Sequence, residues 1–276
     1  MIRRVIAVVA GAFLAPGLIG LSAGPASAAP GCGDYHWIGA AGSGQRDGAA
    51  LAANAGMGDV VYQSYLQMRS ALAASGRTLT AEAVQYPAAP VPADGGLRGW
   101  MNFMDSVHAG TDATAHQLTA FTAQCPTTKV ILAGYSQGAM VIHRNLHDLA
   151  DDPQVVAALL VADGDRLPGD TTINMGSAAL APGVGKGVAQ EHSFLASTDT
   201  STLPARMGAR TVSVCDVGDP VCDAVPDQDA MSATGIAVHT GYAPATDGLH
   251  AWGAPLYNLV LADQTDTGLQ PTQSLR

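Results

Sequence analysis

The sequence predicts an α/β fold: a single-domain, three-layer arrangement with helices on both faces of a mostly parallel sheet. Three observations predict it. Short apolar runs alternate with helix-length stretches along most of the chain. No internal repeat, low-complexity linker or sharp change of composition divides the segment between Cys32 and about Ala262. Hydrophobic residues make up 47% of the 276-residue chain and charged residues only 13%, which suits one sizeable core and excludes a disordered polyelectrolyte.

The elements follow in order. Arg3 and Arg4 precede an apolar run over 5–21, and Ala26, Ser27 and Ala28 are the small residues a signal peptidase reads. Residues 1–28 therefore read as a secretory signal peptide. Pro16, Gly17 and Gly20 interrupt the run, which is short for a hydrocarbon core of roughly 30 Å, so a permanent anchor is the weaker reading. No Leu stands at a lipobox offset before Cys32, and no other stretch is apolar enough to span, so no integral membrane association is expected. The folded domain is expected over 29–263. In it, 35–41 reads as a strand, and 59–74 as a helix carrying Val60, Val61, Tyr65, Leu66, Met68 and Leu72. A second strand over 80–86 is stopped by Pro87, and a long helix fits 97–123. Residues 129–133 read as a short buried strand, 136–149 as a helix, and 155–162 and 210–214 as buried strands. A closing helix fits 251–262 despite Pro255 near its start. The polar residues 264–276 read as a C-terminal tail that frays.

The formal charge of −10 is the wrong sign for a protein that lives on phosphate backbones, and no basic block overrides it, so no nucleic-acid partner is expected. Aromatic residues at 5% are too sparse for stacking platforms. Export would place Cys32, Cys125, Cys215 and Cys222 in an oxidising compartment, where four cysteines allow three pairings. Cys215 and Cys222 are close enough to close a small loop, which leaves Cys32 with Cys125. They lack the Cys-x-x-Cys clusters of a structural zinc site, and free buried thiols are the other alternative.

The chemistry-bearing segment is Gly134-Tyr135-Ser136-Gln137-Gly138. A strand runs into this G-x-S-x-G and a helix-forming stretch runs out, the context in which α/β-hydrolases expose a nucleophilic serine on a strained turn. Its helix amino terminus places backbone N–H groups and a positive dipole end beside a developing oxyanion. A serine hydroxyl needs a base oriented by an acid, and in this fold the chain order is Ser, then Asp or Glu, then His. Asp219 stands out, in a loop between Cys215 and Cys222 just after a strand. His239 is the favoured base, on a loop between Asp219 and the last helix. His250, at the start of that helix, is its rival, and His192 precedes the acid. His143 and His147 share a helical face, but no Glu follows the first, so the pair does not fit the zincin pattern and no metal is expected.

Taken together, these features resemble the cutinase family. The matching residues are Cys32 before the first strand, Gly42-Ser43-Gly44 after it, Cys125 before the nucleophile strand, Gly134 through Ala139, the Cys215–Cys222 loop with Gly218-Asp219-Pro220-Val221, and His239 with Tyr242 three residues on. The resemblance implies a compact α/β-hydrolase without a full lid, with disulfides Cys32–Cys125 and Cys215–Cys222. It implies Ser136, Asp219 and His239 as catalytic triad, and an oxyanion hole from the Ser43 backbone and hydroxyl and the Gln137 backbone N–H. Two departures bear on the lip of the site. Ala41 stands where many relatives carry Arg, and 223–238 is longer than in the shortest members.

The expected function is that of a secreted, extracellular serine esterase acting on cutin-like polyesters and short- to medium-chain acyl esters. It would be a monomer with no cofactor and no partner but its ester substrate. The alternatives are a cell-envelope lipase, phospholipase or thioesterase, an acetylxylan esterase, or a catalytically idle secreted cell-wall protein.

Overall fold

The structure is a computed structural model that describes residues 31–92, 95–181, 185–225, 232–242, 244 and 248–266, with the backbone alone for 263–266. The expected signal peptide and all but the first three residues of the expected tail lie outside the described residues.

Among the described residues six strands form one parallel sheet in the order β2-β1-β3-β4-β6-β5. They are β1 (Tyr35–Ala40), β2 (Leu79–Ala83), β3 (Lys129–Tyr135), β4 (Val155–Val161), β5 (Ile173–Met175) and β6 (Thr211–Val214). The helices are α1 (Gly48–Ala53), α2 (Asp59–Ala74), α3 (Leu97–Gln124), α4 (Gln137–Leu146), α5 (Ala205–Gly208), α6 (Ala233–His239) and α7 (Gly253–Asp266). Because side chains alternate along a strand, β3 sends Ile131, Ala133 and Tyr135 to one face and Val130 and Leu132 to the other. The first face packs on α2 and α7 through Val61, Tyr65, Met68, Leu72, Leu256 and Val260. The second packs on α3 and α4 through Phe103, Val107, Leu118, Met140, Ile142 and Leu146. Two apolar layers therefore clamp a sheet buried on both faces, which is why its central strands read as continuous hydrophobic runs.

The differences from expectation have local causes. The second strand ends at Ala83 because side chains take over its backbone bonds: Arg46 donates to the Val84 carbonyl and Gln117 accepts from the Gln85 amide. The helix after Ser136 stops at Leu146, where Asp148 and Leu149 donate three residues back and tighten the last turn. The closing helix begins at Gly253 and runs to Asp266, with Pro255 in its first turn, where a missing N–H costs nothing. His239 lies not on a loop but at the end of a short helix, α6, whose Ser232 N-cap accepts a hydrogen bond from the Gly235 amide at 3.1 Å.

Among the described residues no helix is long and apolar enough to cross a membrane. Two disulfides, Cys32–Cys125 and Cys215–Cys222, close the ends of the fold.

Candidate active site

Ser43, Ser136 and Asp219 follow the carboxyl ends of β1, β3 and β6, and His239, at the end of α6, joins them there. Ser136 follows β3 at φ 54° and ψ −120°, a backbone conformation costly for a residue with a Cβ. The turn is forced by close packing on either side. A Cβ at Gly134 would overlap the Gly138 carbonyl, and one at Gly138 would overlap the Ala40 and Ala41 carbonyls at the end of β1. Ser136 also donates its amide to Val161 of β4 at 2.9 Å, which fixes the turn between two strands.

His239 Nε2 lies 3.0 Å from Ser136 Oγ. Its Nδ1 meets both Asp219 oxygens, at 3.0 and 3.1 Å. The structure thus brings Ser136, His239 and Asp219 into one hydrogen-bonded file. The imidazole lies nearly parallel to the Tyr135 ring, with centroids 5.3 Å apart, and the Tyr135 hydroxyl donates to the His239 carbonyl at 2.6 Å. Burial, and after it the charge of Asp219, holds both the Tyr135 and the Tyr242 hydroxyl well above the ordinary phenol pKa, so both stay protonated donors.

Asp219 is fully buried and its loop is fastened at several points. Its Oδ1 accepts from the Val221 amide at 2.7 Å and the Cys222 amide at 3.4 Å, and its Oδ2 from the Tyr242 hydroxyl at 2.7 Å. Besides the Cys215–Cys222 bridge, buried Asp223 accepts from the Gly218 amide and from Gly185 across the loop, each at 2.8 Å.

Ser43, Gln137, Ser136 and His239 open onto one cavity of about 300 Å³, walled by Trp100, Phe103, Met140, Val188, Leu195 and Ile236 among others. Gln137 anchors the start of α4 by donating from its side chain to the Ala89 carbonyl at 3.2 Å. Ile236 comes from α6, so the segment before His239 contributes to the cavity wall.

The rival histidines lie elsewhere. His250 is buried against Trp252, with ring centroids 4.2 Å apart, and neither ring nitrogen has a hydrogen-bond partner among the described residues. His192 packs on Phe194 at 5.7 Å. His143 Nδ1 meets Asp163 at 2.5 Å, and His147 meets Asp199 at 3.3 Å. Among the described residues no group of three or more His, Cys, Asp or Glu is placed to hold a metal ion.

Comparison with known proteins gives the chain its relatives. A family model described as Cutinase matches residues 31–252. Acetylxylan esterase 2 of Talaromyces purpureogenus is 30% identical over 172 residues, 59% of this chain and 66% of that protein, so the chain spans about two thirds of its length. Phospholipase Culp4 of Mycobacterium tuberculosis is 28% identical over 242 residues, 88% of this chain and 86% of that protein. A solved acetylxylan esterase shares the fold with a TM-score of 0.57 at 22% identity, covering 84% of this chain and 99% of that one.

Proposed function

The chain belongs to the cutinase family, and from that premise we propose that it is a secreted serine esterase, acting as a monomer, that hydrolyses carboxylic esters through Ser136, His239 and Asp219. The observation that carries the proposal is the hydrogen-bonded file from Ser136 Oγ through His239 to buried Asp219, opening on an apolar cavity. As Ser136 Oγ attacks the ester carbonyl, His239 Nε2 takes its proton, and Asp219 holds the imidazolium that forms. The oxyanion is met by the Ser43 backbone and hydroxyl and by the Gln137 amide at the start of α4. His239 then protonates the leaving alcohol, and a water it deprotonates releases the acyl group. The two disulfides support export to an oxidising compartment.

Apolar walls favour an acyl group of several carbons, as in cutin-like polyesters or lipid esters, over an acetyl group. The name of the 30%-identical relative supports a second reading, deacetylation of acetylated xylan. A series of p-nitrophenyl esters from acetate to laurate, beside acetylated xylan and a polyester film, separates the two. Highest kcat/KM beyond acetate is expected; a maximum at acetate with acetate released from xylan would move the substrate to the second reading. Ser136→Ala should lose activity by ~10⁴-fold or more while keeping its fold. Near wild-type turnover by that variant would overturn the esterase mechanism.

A further inference from the structure

We infer that Tyr242 is a positioning residue for this acid–base pair: its buried hydroxyl donates to Asp219 Oδ2 at 2.7 Å and thereby sets how strongly the carboxylate holds the His239 proton. The inference rests on the Ser136–His239–Asp219 reading above.

The direction of the bond follows from the neighbours of the phenol. The Asp216 amide donates to the Tyr242 oxygen at 3.0 Å, and an amide N–H accepts nothing in return. The Cys222 sulfur, 3.5 Å away, is bound in a disulfide and carries no proton. The carboxylate can only accept, so the single phenolic proton goes to Asp219. The ring is buried with its edge toward Tyr135, centroids 6.2 Å apart, which holds the hydroxyl in place.

The bond also has a chemical consequence. Asp219 has no exposure to solvent, and its charge is spread over the Val221 and Cys222 amides, the imidazole and the phenol. A carboxylate that shares charge with a strong donor pulls less on the imidazole proton. Losing that donor would concentrate the charge on the carboxylate and strengthen its hold on the His239 proton. The other charged and titratable groups facing the pair are Tyr135 from β3, Asp216 and Asp223 from the acid's own loop, and Arg166 after β4 with Asp163 and Asp170 near it. The Tyr242 variants leave all of these residues in place.

The test is the pH profile of kcat/KM for p-nitrophenyl butyrate in Tyr242→Phe, in the enzyme with 3-fluorotyrosine at position 242, and in Asp219→Asn. Tyr242→Phe should move the acid limb up by about half a pH unit or more, with a fall in kcat. Fluorotyrosine keeps the shape and donates more strongly, so it should move the limb down. A uniform loss of rate with an unmoved limb would show that Tyr242 only packs, and would overturn the inference. The fluorinated enzyme decides the matter if the Phe variant fails to fold. Wild-type activity in Asp219→Asn would overturn the triad reading itself, whereas an inactive Asp219→Asn beside unmoved limbs overturns this inference alone.

Discussion

Ser136 holds its buried place at the cavity wall at a cost in backbone strain. At φ 54° a residue with a Cβ costs about 1–3 kcal/mol, and the turn stays tight because Gly134 and Gly138 let the neighbouring backbones close up and the Ser136 amide bonds the Val161 carbonyl. Glycine adopts this conformation without penalty, so the usual ranking of Gly and Ala should invert here. Ser136→Gly is expected to be about 1 kcal/mol more stable than Ser136→Ala, roughly 2–4 °C in melting temperature, with both inactive. Equal melting of the two would mean that the turn relaxes once the hydroxyl is gone. Ser136 is legible in the sequence because its geometry is local: five residues and their flanks encode strand, turn and helix. Asp219 and His239 are legible only through chain order and resemblance, since their meeting is set by the spacing of β3 and β6. Tyr135 and Tyr242 stand among the residues that carry the resemblance, yet nothing in the sequence gives either of them a role. A tyrosine that stacks on a histidine, or donates to a buried carboxylate, reads in sequence like any core aromatic.

The acid's loop shows how an element rather than a residue keeps the geometry. The bridge between Cys215 and Cys222, seven residues apart, closes too small a loop to constrain the unfolded chain much, less than the about 3 kcal/mol of a 15-residue loop. Its other task is to keep the Cys222 amide on Asp219 Oδ1 and the Cys222 sulfur against Tyr242. Cys215→Ser/Cys222→Ser should therefore lose turnover, about tenfold, with little loss of melting temperature, because a carboxylate free to move orients the imidazole poorly. Adding Asp223→Ala, which frees Gly218 and Gly185, should cost more than the two changes separately. The Cys32–Cys125 bridge spans 93 residues and should behave oppositely, with a loss of about 4–5 kcal/mol in stability and little change of kcat in the folded fraction. Melting and ester turnover of the two double mutants check this; full kcat in the first with a large fall in melting would detach Asp219 from the bridge. Elements with strong periodicity, such as α2, are legible to the residue. The three-residue edge strand β5 and the helix α6, with Gly235 and β-branched Thr234 inside it, are not, because tertiary contacts rather than propensity hold them.

For the whole molecule, two buried histidines set opposite limits on stability. Burial by itself would lower the pKa of His143, but the Asp163 carboxylate at 2.5 Å, with Asp165 and Asp170 beyond, outweighs it and raises the value to about 9. The folded state thus binds a proton that an unfolded histidine releases near pH 6.5. Its contribution, about 3 kcal/mol, is full below that pH and is lost as pH rises through about 9. His250 has the opposite sign. Burial against Trp252 lowers its pKa, with Asp59 only partly opposing, so the fold holds it neutral. Below about pH 6.5 an unfolded histidine takes up a proton that the folded one refuses, and stability falls with pH there. Melting temperature should therefore peak close to neutrality and decline on both sides. His143→Gln should flatten the alkaline decline while lowering the maximum, because it leaves Asp163 buried without its cation. His250→Phe keeps the stack on Trp252 and should flatten the acid decline alone. Calorimetric melts of the wild type and both variants from pH 5 to pH 10 test the pair. An alkaline decline in His143→Gln parallel to that of the wild type would mean that His143 and Asp163 are not a charge pair in the folded protein.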